Sequence, residues 1–241
     1  THDNRSAGLL LSSSYIPGVN GATNLGLQIR MDESHRQADT GMDWFVNRTA
    51  TTWVFAEHER SLASNLFIRG GLSGTLYSYK SWIKTTASID PSLYVEWKFR
   101  ATTFTGSMSR ASRFPTLNEL FSSTSGNPDL NPEWAYKGEM SVSRMLFGFL
   151  QCTLTGFANR VHDMIDRSGK LTRYHNISKA SLDGIEIGGL VSKKSFELYS
   201  FYTMLDSRDG NSVELDYRPR WKVDLYFTWR MFEQARLYLS S

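Results

Sequence analysis

Apolar and polar residues alternate with a period of two along most of the chain. In the segment "WKVDLYFTWR" one face would carry Trp221, Val223, Leu225, Phe227 and Trp229. The segments "NLGLQIRMD" and "SLYVEWKFR" repeat this pattern. Because successive side chains of a β-strand point to opposite faces, the period predicts strands with one apolar and one polar face.

About a dozen segments have this pattern, and the connections between them alternate in length. Strands are predicted near residues 7–15, 23–32, 50–58, 63–76, 91–98, 101–110, 134–144, 149–160, 180–191, 196–206, 219–230 and 234–241. The long, polar connections lie around 33–49, 77–90, 111–133, 161–179 and 207–218. In an up-and-down meander all short turns would lie at one end of the sheet and all long loops at the other. This asymmetry is typical of transmembrane β-barrels.

The positions of proline and tryptophan agree with such a meander. The prolines are expected in connections or at the first residue of a strand, where no ladder N–H is lost. They are Pro17, Pro91, Pro115, Pro128, Pro132 and Pro219. Trp221 and Trp229 bracket an apolar face of roughly 20 Å in height, close to the apolar band of about 25 Å on an outer-membrane barrel. Arg144 has the parity of Met140 and Val142, so it is expected near a strand end.

Composition narrows the class of protein further. The chain has 241 residues, of which 40% are hydrophobic, but it has no apolar run of the roughly 18 residues that a membrane helix needs. The net charge of +3 comes from scattered residues, so no nucleic-acid partner is predicted. Cys152 shares the parity of Leu150 and Leu154 and is interpreted as an apolar wall residue.

Motifs for catalysis, metals or cofactors are weak. The five histidines form no close cluster with cysteine, so neither a metal site nor a cofactor is predicted. Asp206 and Asp209 in "DSRDGNS" have the chemistry of calcium ligands, but a solvated hairpin loop explains so short a match more simply. The chain is therefore not predicted to be an enzyme.

Residues 91–230 carry a specific resemblance. The segments "SMSRASRFPTLNELF" and "GNPDLNPEWAYKGEMSVS" resemble the signature of TonB-dependent outer-membrane receptors, in which an Arg-x-Pro-Thr-Leu-x-Glu-Leu-type segment ends one strand and an Asn-Pro-x-Leu-x-Pro-Glu segment opens the next. The later segments "GFANRVHDMID", "RYHNISKASLDGIEI" and "YRPRWKVDLYFTWR" are similar to later strands of the family in order and spacing.

The resemblance implies an all-β fold, an antiparallel up-and-down transmembrane β-barrel. Residues 1–241 would supply about twelve middle-to-late strands of about 22, with the plug domain absent from these residues. The unpaired edges would cost several kcal/mol for each exposed backbone group in hydrocarbon, so we expect the chain to be part of a receptor rather than a stable monomeric transporter.

The resemblance also implies location, partners and cargo. The location would be the bacterial outer membrane, and the function active uptake of a metal chelate, most often a ferric siderophore and next a cobalamin. The partners would be outer-membrane lipid, the TonB complex acting through the missing plug region, and the small-molecule chelate itself.

Substrate contacts in this architecture are expected on long loops carried by a rigid wall. Candidates by location are Arg110, Arg113, Asn118, Glu119, Phe121, Asn127 and Trp134. Loop folding and strand capping explain the same residues equally well. Polar rows that would face the lumen, such as Lys222 and Asp224 or Glu96 and Lys98, would contact a plug, line a wet passage or simply be solvated.

Two alternatives stay open at this point. A passive outer-membrane channel or adhesin barrel would lack a plug, and the sequence encoded upstream of Thr1 would distinguish it. A soluble all-β binding module also has alternating faces, and folding without detergent would support it.

Overall fold

The computed structural model describes residues 2–18, 21–36, 45–79, 84–167, 173–193, 195–215, 218–232 and 235–240. These residues form one antiparallel sheet in which each strand pairs with the next along the chain, which confirms the all-β, up-and-down prediction. The twelve strands are β1 (His2–Gly18), β2 (Gly21–Arg36), β3 (Phe45–Ala63), β4 (Leu66–Tyr79), β5 (Lys84–Phe99), β6 (Thr102–Arg113), β7 (Glu133–Leu146), β8 (Leu150–Asp166), β9 (His175–Lys193), β10 (Phe196–Asp209), β11 (Trp221–Phe232) and β12 (Ala235–Ser240). One short helix, α1 (Leu117–Phe121), follows β6.

The two ends of the sheet differ as predicted. At one end the strands are joined by residues 19–20, 64–65, 100–101, 147–149, 194–195 and 233–234, and at the other by the longer connections. Two of the short turns use left-handed backbone, with φ of 54° at Arg100, 52° at Phe147 and 72° at Gly148. Among the described residues, no helix is long and apolar enough to cross a membrane.

The strand register sorts the side chains onto an apolar face and a polar face. On the apolar face Leu93 pairs with Met108, whose neighbour Met140 is 75% exposed. On the polar face charged side chains pair within strands, as Lys98 does with Glu96 at 2.9 Å. Trp221, Trp229, Cys152 and Arg144 all lie on the apolar face, and Arg144 lies two residues from the end of β7, as expected.

The strands extend further into the long-connection end than predicted. β5 begins at Lys84 rather than near residue 91, so Pro91 lies inside a strand and pairs with Leu72. Pro17 lies within β1 rather than in a connection, but at the short-turn end, where the pairing of β1 with β2 is interrupted between Tyr15 and Gly18. The places predicted for these two prolines were wrong. For Pro91 the reason is that polar residues continue the hydrogen-bonded ladder after the apolar alternation has ended, whereas Pro17 is tolerated because it has no ladder partner on β2. Pro91 is tolerated because the β5–β6 ladder begins only at Ser92.

Buried residues concentrate at the long-connection end. Tyr77 and Tyr79 of β4 pack with Leu120, Leu130 and Ile165. A smaller cluster joins β8, β9 and the connection after β10, and it contains Met164, Ala180 and Leu215. Since β1 and β12 each pair with one strand within the described ranges, the sheet is open at both edges.

Candidate functional site

Residues 114–132, which connect β6 to β7, fold back over the polar face of the sheet. Their helix α1 begins with a capping box: the Thr116 amide donates to Glu119 Oε2 at 2.8 Å, and the Glu119 amide donates to Thr116 Oγ1 at 3.3 Å. Leu120 is 1% exposed beneath the helix, and α1 lies close to β2 and β3. The segment, which we call the cap, therefore has its own hydrogen bonds and its own apolar anchor.

Arg113 joins the two ends of the cap. Its Nη1 donates to Glu119 Oε1 and Oε2 at 2.8 and 3.1 Å, and its Nη2 donates to Glu133 Oε2 at 3.0 Å. The same Glu133 oxygen accepts the amide of Ile165 in β8 at 2.9 Å. Since forked arginine–carboxylate bonds fix geometry as well as charge, this node sets where the cap leaves β6 and enters β7.

A second set of hydrogen bonds fastens the cap to the start of β9. Asn127 Nδ2 donates to the Tyr174 carbonyl at 2.9 Å, and the Tyr174 amide donates to the Ser125 carbonyl at 2.9 Å. Asn176 Oδ1 accepts the Asn131 amide at 2.9 Å, and its Nδ2 donates to the Asn131 carbonyl at 3.0 Å. The cap and residues 173–176 therefore form one connected unit.

A cavity of about 780 Å³ lies between the start of the cap and the polar faces of the first strands. Pro115, Thr116 and Asn118 contribute from the cap. The strand residues that line it include Gln28, Thr49, Thr51, Trp53, Ser73, Thr75 and Tyr77. The Tyr77 hydroxyl donates to the Pro115 carbonyl at 2.5 Å, so the wall and the cap are joined directly at the edge of the cavity.

Two arginine–carboxylate pairs lie in this cavity. Arg30 Nη2 lies 2.9 Å from Asp32 Oδ1. Arg110 Nη1 lies 2.8 Å from Asp90 Oδ1, which also accepts the Ser112 hydroxyl at 2.8 Å. The side chains of Arg110 and Asp90 are only 22% and 11% exposed, so this second pair is well shielded from water.

The Arg110–Asp90 pair fills a gap in the wall. The β5–β6 ladder stops at Ser92 and Ser109, whereas β5 continues along β4 and β6 continues along β7. Beyond the last paired residues, towards the long-connection end, Arg110 also donates to the Ile89 carbonyl at 2.7 Å. Side-chain bonds therefore replace the backbone ladder where β5 and β6 separate.

The seven residues proposed from sequence divide into three groups. Arg110 and Asn118 line the cavity, and the cap is held by Arg113, Glu119, Phe121 and Asn127. Trp134 stacks on His162 with ring centroids 4.0 Å apart, and the guanidinium of Arg110 lies 5.0 Å from its ring. Ligand contacts of all seven stay a prediction.

Sequence reasoning missed the wall of the cavity. Thr51, Trp53 and Thr75 occupy polar-face positions of β3 and β4, which carry no signature motif. The alternation in strands such as "NLGLQIRMD" could have indicated the wall, because Gln28, Arg30 and Asp32 share the polar face of that strand and all line the cavity.

Residues 209–213, at the end of β10, form a turn rather than an oxygen-ligand cluster. Asp209 Oδ1 accepts the amides of Asn211 and Val213 at 2.9 and 2.8 Å, and Arg208 pairs with Asp206 at 3.0 Å. Across the chain as far as it is described, no three or more histidine, cysteine or acidic side chains are grouped as metal ligands.

An ion pair perturbs one carboxyl group in the connection after β10. Arg220 Nε donates to Glu214 Oε1 at 2.6 Å. The hydrogen bond from Arg220 lowers the pKa of Glu214 below its ordinary value.

Comparison with known proteins gives matches over nearly the whole chain. The family model described as TonB dependent receptor-like, beta-barrel, matches residues 4–240. The vitamin B12 transporter BtuB of Vibrio vulnificus is 38% identical over 106 residues, which are 42% of this chain and 16% of that protein.

Solved structures share the fold at low sequence identity. The copper transporter OprC superposes with a TM-score of 0.79 at 17% identity, covering 95% of this chain. The FrpB iron transporter of Neisseria meningitidis has a TM-score of 0.73 at 14% identity and 99% coverage, and the siderophore receptor PirA of Acinetobacter baumannii has 0.73 at 15% and 98%. The chain spans 42% of the length of each of these three structures.

Proposed function

The chain belongs to the TonB-dependent receptor family, as part of its outer-membrane β-barrel, and from this premise we propose that it is part of a receptor for active uptake of a metal chelate. Energy would come from the TonB complex, acting through a plug that lies outside these residues. A ferric siderophore and a cobalamin are the two cargo classes considered. The first agrees with the iron and siderophore transporters of similar fold, and the second with the B12 transporter of similar sequence.

One observation carries the proposal: a cavity of about 780 Å³ on the polar face, beneath a cap that is part of the wall itself. Cavities of about 300–1,000 Å³ with a few placed polar groups are typical of small-molecule sites. In a membrane barrel the polar face is the interior, so a solute held here would lie inside the complete barrel.

The residues around the cavity would have different tasks. Trp53, Thr51 and Thr75 would contact the chelate from the wall, and Asn118 would contact it from the cap. Arg113, Glu119 and Asn127 would keep the cap in place through the hydrogen bonds described above. Arg110 would close the wall between β5 and β6, where their backbone ladder stops.

Strand-borne contacts suit capture better than loop-borne contacts alone. Residues on hydrogen-bonded strands keep their positions relative to one another, so they hold a chelate without the ordering entropy that a free loop would lose. The cap is fixed at both ends and at Tyr77, so it presents Asn118 to the cavity in a preformed geometry. We therefore expect little change of the cap backbone when a chelate binds.

Uptake in cells tests the proposal. The complete gene would be deleted in its host, and accumulation of radiolabelled ferric siderophores and cobalamin would be measured with and without the gene restored on a plasmid. The proposal expects the deletion to abolish uptake of at least one chelate and the plasmid to restore it. Unchanged uptake of every chelate in the deletion strain would contradict the proposal.

The same assay with one more arm distinguishes active uptake from passage through a passive channel. Cells that carry the restored gene but lack TonB are expected to lose uptake against a concentration gradient. Uptake that continues without TonB and stops at equal concentrations on the two sides would instead identify a passive barrel.

A further inference from the structure

The chemistry of the cavity wall points to the kind of chelate that it accepts. We propose that the cavity beneath the cap binds an electrically neutral metal chelate that presents amide or carbonyl groups, and that it disfavours polyanionic chelates. This inference rests on the proposed function and adds the substrate class to it.

The charges of the lining balance. Its paired charged residues are two arginines and two carboxylates, Arg30, Arg110, Asp32 and Asp90, whereas Arg5 and Glu33 pair in register on the parity of Leu27 and Ile29, which is that of the apolar face. Arg30 is paired with Asp32 and Arg110 with Asp90, as described above. A polyanion would have to separate an arginine from its carboxylate partner, and that carboxylate would then repel it. Sites that select anionic groups instead present arginines whose donors are free for the ligand.

Most of the remaining polar residues of the lining carry hydroxyl groups. Ser6, Thr49, Thr51, Ser73, Thr75 and Thr116 all line the cavity. A hydroxyl both donates and accepts, so it matches the carbonyl and N–H groups of an amide without adding charge. Ser6 Oγ already donates to Asp32 Oδ1 at 2.5 Å, and the Ser112 hydroxyl donates to Asp90. These two hydroxyls therefore add hydrogen bonds to carboxylates that are already paired with arginines.

An aromatic ring lies in the middle of this surface. Trp53 lines the cavity and pairs in register with Thr75, while its ring stacks on Phe55 at 4.6 Å. A braced indole provides a flat apolar contact between hydroxyl groups. This combination suits a bulky chelate with an apolar body and a hydrogen-bonding rim.

Two sources share this ligand chemistry. A cobalt corrinoid with amide side chains and a neutral ferric trishydroxamate both hide the metal within an uncharged, carbonyl-rich shell. A ferric triscatecholate, which is trianionic, has the opposite electrostatic character. These three classes form the arms of the test.

The test measures binding to the complete receptor that contains this chain, purified in detergent. Cyanocobalamin, a neutral ferric trishydroxamate and a ferric triscatecholate would be titrated by calorimetry at low and high salt. We expect at least one neutral chelate to bind about tenfold or more tightly than the trianion, a difference of about 1.4 kcal/mol. Its Kd should change less than about twofold between about 0.01 M and 1 M salt, since screening acts on charges.

Matched variants on β3 and β4 separate a wall contact from a general defect. Thr51→Val and Thr75→Val remove hydroxyls from the cavity, and each should weaken binding of the neutral chelate by about threefold to tenfold. Thr52→Val makes the same change on the apolar face of β3, where Thr52 pairs with Ile29 and Leu76, and should leave Kd within about twofold.

A charge variant tests the electrostatic part. Asp32→Asn leaves Arg30 without its carboxylate partner, so binding of the triscatecholate should become several-fold tighter at low salt and lose that gain at high salt. Heat-dependent migration in gel electrophoresis would show that each variant keeps a folded barrel.

The possible results distinguish the two levels of the proposal. Preference of the wild-type receptor for the trianion, with steep salt dependence, would overturn the neutral-chelate inference and leave chelate uptake standing. Equal effects of Thr51→Val, Thr75→Val and Thr52→Val would also overturn it. Binding of none of the three classes, together with unchanged uptake in the deletion strain, would overturn both.

Discussion

Replacing Arg113 by methionine is expected to open the cap while leaving the strands paired. Arg113 is the common partner of Glu119 in α1 and Glu133 in β7. The carboxylate side chains of Glu119 and Glu133 are only 13% and 21% exposed, whereas Arg113 is 41% exposed. Without the guanidinium, the two shielded carboxylates would face each other with reduced access to water.

The free-energy cost of Arg113→Met lies between two limits. Removing one partner of a fully buried ion pair costs about 3–5 kcal/mol, and an exposed pair contributes about 0–1 kcal/mol. Because the arginine is partly exposed and the carboxylates are mostly shielded, we expect about 2 kcal/mol for local opening of the cap. This free energy corresponds to an increase of about thirtyfold in the open population.

Hydrogen exchange of the complete receptor, followed by mass spectrometry, measures this opening directly. Peptides from the cap should exchange about thirtyfold faster in the Arg113→Met variant, while peptides from the centres of β8 and β9 keep their protection. Arg208→Met is the matched control, since its pair with Asp206 is 50% and 62% exposed and should contribute little. Equal exchange of the cap in Arg113→Met and wild type would show that Arg113 does not hold the cap closed.

Three further predictions concern the same end of the sheet. Gly126→Ala should disrupt the cap, because an added Cβ would collide with backbone atoms of the preceding turn, whereas Gly106→Ala meets open space and should not; rates of limited proteolysis compare the two. Asn176→Ala should cost about 1–3 kcal/mol by leaving the cap backbone without its side-chain partner, and faster hydrogen exchange of the cap without loss of the barrel would show it. The pKa of Glu214 is held below its ordinary value of 4.5, so the stabilisation from its pair with Arg220 should be complete above pH 4.5 and be lost as the pH falls through the lowered pKa; Arg220→Met should return the pKa of Glu214 towards 4.5 in an NMR titration, and an unchanged pKa would contradict this.

The period-two pattern predicted the sheet because one face of each strand contacts an apolar surrounding. Leu93, Met108 and Met140 illustrate this, since the register places all three on the same face. The pattern could not locate the strand ends near Lys84 and Tyr79, where both faces are polar or aromatic and the backbone ladder continues without alternation. This is why Pro91 was expected at the first residue of a strand and lies inside one.

The cap could be placed in a loop from its prolines and its resemblance to a family signature, but its internal contacts could not. Arg113 and Glu133 are the ends of neighbouring strands, and only the β6–β7 register brings them together. Tyr77 and Pro115 are separated in sequence by β5 and β6 and meet because the cap folds back over the polar face, and no local pattern encodes such a contact. The signature residues Arg113 and Glu119 hold the cap by hydrogen bonds, which agrees with the loop-folding interpretation of these positions.

The cavity wall depended most strongly on the fold. Thr51 and Thr75 lie on adjacent strands and become neighbours of Asn118 only because the cap turns back over β3 and β4. Hydroxyl residues at polar-face positions are ordinary in a wet barrel, so nothing in their local sequence distinguishes a binding wall from a solvated one.

The most direct test of this binding site is the crystal structure of the complete receptor with its transported chelate bound. We expect the chelate to lie beneath the cap, with its atoms within about 4 Å of Trp53 and Thr75. A chelate bound away from this wall, with the cavity beneath the cap filled only by water, would contradict this expectation.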